Sequence, residues 1–156
     1  MGATRMNNTI QAQTRRKQYG VAQQMSVEQN KEGLIVLRGV AQGKRVKAIK
    51  ATLSRRASNL LWYRLTQLLY PDDAPHATQL LGTAPLGQAL PEGELITTQI
   101  EVQPRHPDHY ELIGRILNHE WSLHLSTSEA KRLWAKLDLS LFPYGWQGRE
   151  NHPAQP

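Results

Sequence analysis

The chain contains no cysteine. That excludes a disulfide framework, a thiolate metal centre and a cysteine nucleophile, so stability has to come from buried apolar surface. Phenylalanine occurs once in 156 residues, and the longest apolar run, residues 34–37, is only strand-sized. No segment is long enough to span a bilayer, which needs about 20 apolar residues, so no membrane insertion is expected. Acidic residues are missing from the first 27 positions. That stretch carries Arg5, Arg15, Arg16 and Lys17 but lacks the apolar centre of a secretory signal. It reads as a basic flexible arm over residues 1–18, with an organelle transit peptide as the alternative. A cytoplasmic location is expected.

Charge is divided unevenly along what remains. Residues 1–56 hold 12 Lys and Arg against Glu28 and Glu32, a net of +10, whereas residues 57–156 hold 7 against 11 acids, a net of −4. A field segregated in this way attracts a polyanion to one end, or lets the basic half meet an acidic protein; it is also compatible with a homodimer that pairs unlike halves.

An internal repeat organises the chain. Residues 53–71 and 125–143 align at a constant offset of 72, with Leu53/Leu125, Ser54/Ser126, Leu61/Leu133, Trp62/Trp134, Leu65/Leu137, Leu69/Leu141 and Pro71/Pro143 identical. The matched leucines recur every four residues beside a tryptophan, which is the apolar stripe of an amphipathic helix. Ser54 and Ser126 stand at the N-cap position, Ser126 with Glu129 suggests a capping box, and each helix is expected to stop before its proline.

Ahead of each helix the period shortens to two. Trp121, Leu123 and Leu125 alternate with Glu120, Ser122 and His124, and Ile49, Ala51 and Leu53 match them in the first copy. Residues 34–40 and 110–117 read as the partner strands, and residues 21–29 and 96–103 as a third pair, matched more weakly near an offset of 75. The first copy gains its extra residues in the hairpin turn, among residues 42–45. The expected fold is α+β, an internally duplicated strand-strand-strand-helix unit: an antiparallel sheet with two helices on one side and pseudo-twofold symmetry. Residues 19–71 form the first repeat and 95–143 the second. Residues 72–94, with four prolines and three glycines in the 24 residues from Pro71, read as a surface linker with a short apolar turn at Leu80 and Leu81. Residues 144–156 form a tail whose Tyr144 and Trp146 are expected to pack back on the core.

Function is read from the cations. Arg38, Lys44, Arg45, Lys47, Lys50, Arg55 and Arg56 fall on a strand, its hairpin turn and a helix start, with Arg15, Arg16 and Lys17 of the arm nearby in sequence. A cationic hairpin can follow a phosphate backbone, and the free N–H groups of a helix N-terminus add anion affinity. The competing explanation is that lysines on an edge strand only prevent sheet-to-sheet aggregation. Few strand aromatics are available to stack bases, namely Tyr19, Tyr110 and Trp121, which points to backbone-dominated binding of low sequence specificity. No catalytic residues are assigned. The chain shows no phosphate-cradling glycine loop, nucleophile elbow or paired carboxylates. His106, His109, His119 and His124 lack a ligating spacing, so no metal or cofactor is expected.

Two resemblances extend this reading. Over residues 19–143, repeated sheet-then-helix units with a basic sheet look like the Pur-alpha and Whirly families. That likeness implies single-stranded DNA or RNA bound across the sheet; it transfers no individual residue, and those families carry four strands per unit rather than three. Residues 80–90, LLGTAPLGQAL, resemble the Leu-Gly-x-x-Pro-Leu-Gly signature of chorismate lyases, which would imply pyruvate elimination from chorismate. The glutamate which that family places in its C-terminal segment has no counterpart here. The reading that results is a non-catalytic nucleic-acid-binding protein. An assembly factor for an acidic protein partner is the second reading, and a lyase-like enzyme the third.

Overall fold

A computed structural model describes residues 16–83, 90 and 95–146. Three strands come first: β1 (Arg16–Gln29), β2 (Ile35–Gln42) and β3 (Val46–Leu53). They lead into α1 (Arg55–Leu69), a 3-10 turn at Pro71–Asp73 and α2 (Ala74–Thr83). The second half has the short β4 (Ile96–Thr97), then β5 (Gln99–Arg105), β6 (His109–Ile116), β7 (His119–Ser126) and α3 (Thr127–Leu141). Among the described residues the architecture is α+β, with one seven-stranded sheet and three α-helices.

The helices form where local chemistry dictates. Ser54 Oγ accepts from the Ala57 N–H at 3.1 Å and Ser126 Oγ from the Glu129 N–H at 3.2 Å, so each serine satisfies one orphan donor of a first turn. The reciprocal half of the expected capping box is diverted: Glu129 Oε1 accepts instead from the Gln24 N–H at 3.3 Å. Gln24 sits at a bulge of β1 with φ of +56°, and the carboxylate of α3 holds that bulge in place. Both long helices end one residue before proline, at Tyr70 and Phe142, in the same non-helical backbone conformation.

The strands line up in the order β4-β3-β2-β1-β7-β6-β5. Hairpins make β1·β2, β2·β3, β5·β6 and β6·β7 antiparallel, but β1 runs parallel to β7 and β3 parallel to β4. The sheet is mixed, which corrects the expectation of a wholly antiparallel one. Two hairpins in succession bring a third strand back into the direction of the first. Where the first strand of one triplet borders the last strand of the other, similarly oriented triplets meet in parallel.

β4 and β5 are one stretch of chain broken only at Thr98, so the two ends of the strand order are continuous with each other. The Ser54 N–H donates to Thr97 O at 2.9 Å and the Thr98 N–H to Arg115 O at 3.1 Å, which ties β3 to β6 through this stretch. The sheet therefore curls round until its edges share one strand. Ile96 stands beside Thr52 as Val21 stands beside His124.

α1 and α3 cover one face and cross to each other's strands. Arg64 Nε of α1 donates to Val102 O of β5 at 3.2 Å, and Lys136 Nζ of α3 to Met25 O of β1 at 3.0 Å. Between the helices the contacts are reciprocal: Trp62 meets Phe142 with ring centroids 4.6 Å apart, and Trp134 meets Tyr70 at 4.8 Å. Trp62, Trp134, Leu61, Leu65, Leu133 and Leu137 are all buried, as their stripe required. Burial also raises the Tyr70 hydroxyl above the ordinary tyrosine range.

Three boundaries differ from expectation. β1 starts at Arg16, so residues 16–18 belong to the sheet and not to an arm; residues 1–15, Arg15 among them, lie outside the described part. The expected linker holds a 3-10 turn and a ten-residue helix, α2, packed on α1 through a 3.0 Å hydroxyl contact between Tyr63 and Thr78. Pro75 opens that helix at a position where a missing N–H costs nothing. In the tail, Trp146 does pack inward, with ring centroids 5.5 Å from Trp62 and 6.4 Å from Trp134, whereas Tyr144 is fully exposed.

Candidate nucleic-acid interface

The ten cations selected from the sequence do not form one surface. Gln42 pairs with Val46 at the closed end of the β2–β3 hairpin, and Ile35 pairs with Leu53 at the open end. The eight residues of β3 separate the turn from the start of α1, about 23 Å from first to last at the usual rise. Lys44, Arg45 and Lys47 therefore stand at one end, Arg38 and Lys50 midway on opposed positions, and Arg55 and Arg56 at the far end. Sequence proximity misleads here because a strand carries its two ends apart.

Pairing divides them further. Arg38 Nε makes an ion pair with Glu28 on the neighbouring strand. Arg16 is bound to two buried carboxylates, at 3.1 Å to Glu120 and 3.5 Å to Glu111. Lys17 Nζ lies 5.0 Å from the centre of the Tyr19 ring, a cation–π contact. Arg55 lies half-buried beside Ser58 and Asn59 on the helix side of the sheet. Lys44, Arg45, Lys47 and Lys50 are exposed and make no ion pair with any described residue.

Lys44, Arg45 and Lys47 share a rim, and Lys50 follows further along β3. The three-residue turn at 43–45 closes with the Gly43 N–H donating to Arg45 O at 3.2 Å, and Gly43, Lys44, Arg45 and Lys47 face residues 18–20 of β1 across an open groove. Gly20 makes the approach of the two strands feasible. It has φ of +99°, and a Cβ there would lie 2.1 Å from Gln42 O. Beyond the turn, β3 has described strand partners on its outer side only at Thr52 and Leu53. Lys47 and Lys50 thus lie on a strand edge that is otherwise unpaired among the described residues.

The other half of the outer sheet surface contains a feature the sequence reading missed. Glu111 and Glu120 are buried and each lies between two arginines: Arg105 is 2.6 Å from Glu111, Arg115 reaches Glu120, and Arg16 joins the two carboxylates. Hydrogen bonding from Arg115, helped by Arg16, holds the Glu120 carboxyl below the usual carboxylate range against the opposing effect of burial. The hairpin register carried the signal, since Arg115 is directly opposite Glu120. This network pairs Arg105, Arg115 and Arg16 with carboxylates, whereas Lys44, Arg45, Lys47 and Lys50 make no ion pair with a described carboxylate.

Among the described residues no group of His, Asp and Glu is arranged to hold a metal ion. His109 and His124 are neighbours, their rings 5.3 Å apart, without a third ligand. Of the lyase-like segment, Leu80–Thr83 belong to the end of α2, and residues 84–89 lie outside the described part. No described helix is long and apolar enough to cross a membrane. Comparison of the chain with protein-family models, with curated proteins and with solved structures finds no match in any of the three.

Proposed function

We propose that this is a non-catalytic nucleic-acid-binding protein that holds single-stranded DNA or RNA by its phosphates along the hairpin rim. The observation that carries the reading is the set Lys44, Arg45, Lys47 and Lys50: four exposed cations on one turn and one strand edge, without a described carboxylate to neutralise them. Cations arranged along an edge track a charged backbone and leave the bases largely unread. Tyr19 borders the same groove and supplies one stacking surface. Arg55, Arg56 and the ion-paired Arg16 and Arg38 contribute little to that contact.

The internal duplication belongs to this proposal. It is supported by the matching registers of the two parallel junctions and by the reciprocal helix contacts, in which each tryptophan meets the residue closing the other helix. One copy has kept a cationic hairpin and the other an ion-paired surface, a division of labour that a duplicated unit permits. A cytoplasmic location accords with such a role.

A protein partner is the second reading, and the unpaired edge of β3 favours it, because an extended acidic segment could add to Val46–Ala51 as a further strand. Fluorescence anisotropy with labelled single-stranded DNA, single-stranded RNA and duplex DNA over a salt series separates the two. Salt-sensitive binding that prefers single strands is the expected result. Absence of binding to all three at low salt would refute the nucleic-acid reading and direct attention to an acidic protein.

A further inference from the structure

The concave side of the curled sheet is not filled by the helices along its whole length. Between β1, β2, β3 and β7 lies a cavity of about 190 Å³. Its floor is Met25, Leu37 and Leu123, all buried, and Trp121 forms one wall. Leu95 and Lys50, both exposed, stand on its rim, and Lys50 is the one charged residue in the described lining.

The aromatic wall is fixed in advance. Trp121 donates its indole N–H to the buried Thr97 Oγ1 at 3.0 Å, and its ring lies over Gly114 so closely that a Cβ there would come within 2.2 Å of it. With the indole N–H engaged, the wall offers only hydrocarbon surface. Water in a pocket with so apolar a lining finds few of the two to four polar partners that hold it, so a hydrocarbon displaces it at little cost.

We propose that this cavity is a binding site for a compact apolar carboxylate, a hydrocarbon body of about eight carbons ending in a carboxylate at the Lys50 rim. An apolar cavity of about 150 Å³ accommodates a six-carbon ring, so the present volume suits seven or eight carbons. Apart from Lys50 at the rim the lining is apolar or aromatic, so a hydrocarbon body suits it and a carboxylate suits the rim. The site shares Lys50 and Tyr19 with the proposed nucleic-acid rim, but its test contains no oligonucleotide, so the two readings succeed or fail independently.

The test is a titration of protein carrying methyl-labelled methionine with sodium hexanoate, octanoate and dodecanoate, and with octan-1-ol, following the Met25 methyl resonance. Saturable shifts are expected, with affinity rising about fourfold per methylene up to roughly eight carbons and then levelling off. Octanoate should bind about fivefold more tightly than octan-1-ol, and Lys50→Met should abolish that difference while leaving octan-1-ol unchanged. Ala51→Phe, which fills the cavity, should remove the response; if that variant does not fold, the chain-length series still decides. Three results would each overturn the proposal: no saturable shift below about 10 mM, equal binding of acid and alcohol, or affinity that continues to climb through dodecanoate.

Discussion

Trp62 in α1 donates its indole N–H to the carboxylate of Asp138 in α3 at 2.8 Å, in a position where both residues are buried. Its counterpart Trp134 donates to Thr66 Oγ1, also at 2.8 Å, and Asp138 accepts a second indole hydrogen bond from Trp146 at 2.6 Å. One carboxylate therefore joins two helices and the segment after the second. Asp138→Ala should cost about 2–4 kcal/mol of unfolding free energy, because the buried Trp62 and the half-buried Trp146 both lose an acceptor. Asp138→Asn keeps an oxygen in place and should cost about 1 kcal/mol. Urea unfolding of both variants, monitored by tryptophan fluorescence, checks the order; equal losses would show that a neutral amide oxygen cannot replace the charged acceptor.

Gly39 on β2 and Gly114 on β6 should respond differently to the same change. A Cβ at Gly114 would meet the Trp121 ring at 2.2 Å, whereas one at Gly39 would meet Met25 Sδ at 2.5 Å. The indole is held by Thr97 and cannot move aside, but a thioether on a flexible side chain can. Gly114→Ala is expected to lower stability by about 3 kcal/mol and Gly39→Ala by about 1 kcal/mol. Thermal unfolding of the pair gives the comparison, and a larger loss at Gly39 would contradict the fixed indole.

The helices were legible in the sequence because their signals are local: Leu61, Leu65 and Leu69 at intervals of four, a serine before the first turn and a proline after the last. Sheet order was not. Nothing within a strand reveals that Arg16 will lie beside Glu120, since that pairing joins residues more than 100 positions apart and both flanks are polar. The start of β1 was missed for the same reason: the alternation of apolar residues that marks a strand is lacking in Arg16–Gln18. α2 was hidden by Pro75 and Gly82, which read as loop residues although one opens the helix and the other lies near its end. Of the candidate cations, residue type and spacing selected the turn cations and Lys50, which the fold leaves exposed on the turn and along β3. Arg55 and Arg56, selected with them, stand at the other end of β3, because adjacency in sequence says nothing about which end of a strand a residue occupies.

Acid should weaken this fold partly through Glu120. Its carboxyl is held below the usual range by Arg115 and Arg16, so the folded state binds that proton less readily than the unfolded chain. Stability from this source is complete above the ordinary carboxylate pKa and is lost as pH falls towards the depressed folded value. Glu120→Gln should therefore be less stable than the native chain at neutral pH, by about 1 kcal/mol given the solvent exposure of both arginines. The difference should shrink below about pH 4.5. Chemical denaturation at neutral pH and in that acidic range measures it; a gap that does not change with pH would mean the residue contributes through packing alone.

Separation of the cations along β3 makes the sharpest test of the interface. If phosphates follow the hairpin rim, replacing Lys44, Arg45, Lys47 and Lys50 by Ala should weaken single-strand binding and flatten the dependence of log K on log salt. The slope should fall by up to about 3, at roughly 0.7 for each phosphate that is no longer neutralised. The double variant Arg55→Ala with Arg56→Ala removes two charges from the same strand-helix unit but at its other end, about 23 Å from the turn. Its slope should match that of the native chain, and its affinity should drop only slightly through long-range attraction, an effect confined to low salt. A flattened slope in the double variant would instead mean that the nucleic acid runs the length of the sheet, with the helix N-terminus as part of the interface. Equal slopes for all three proteins would mean that neither end meets phosphate, and that the charge of the rim serves to keep the open edge of β3 from pairing with another sheet.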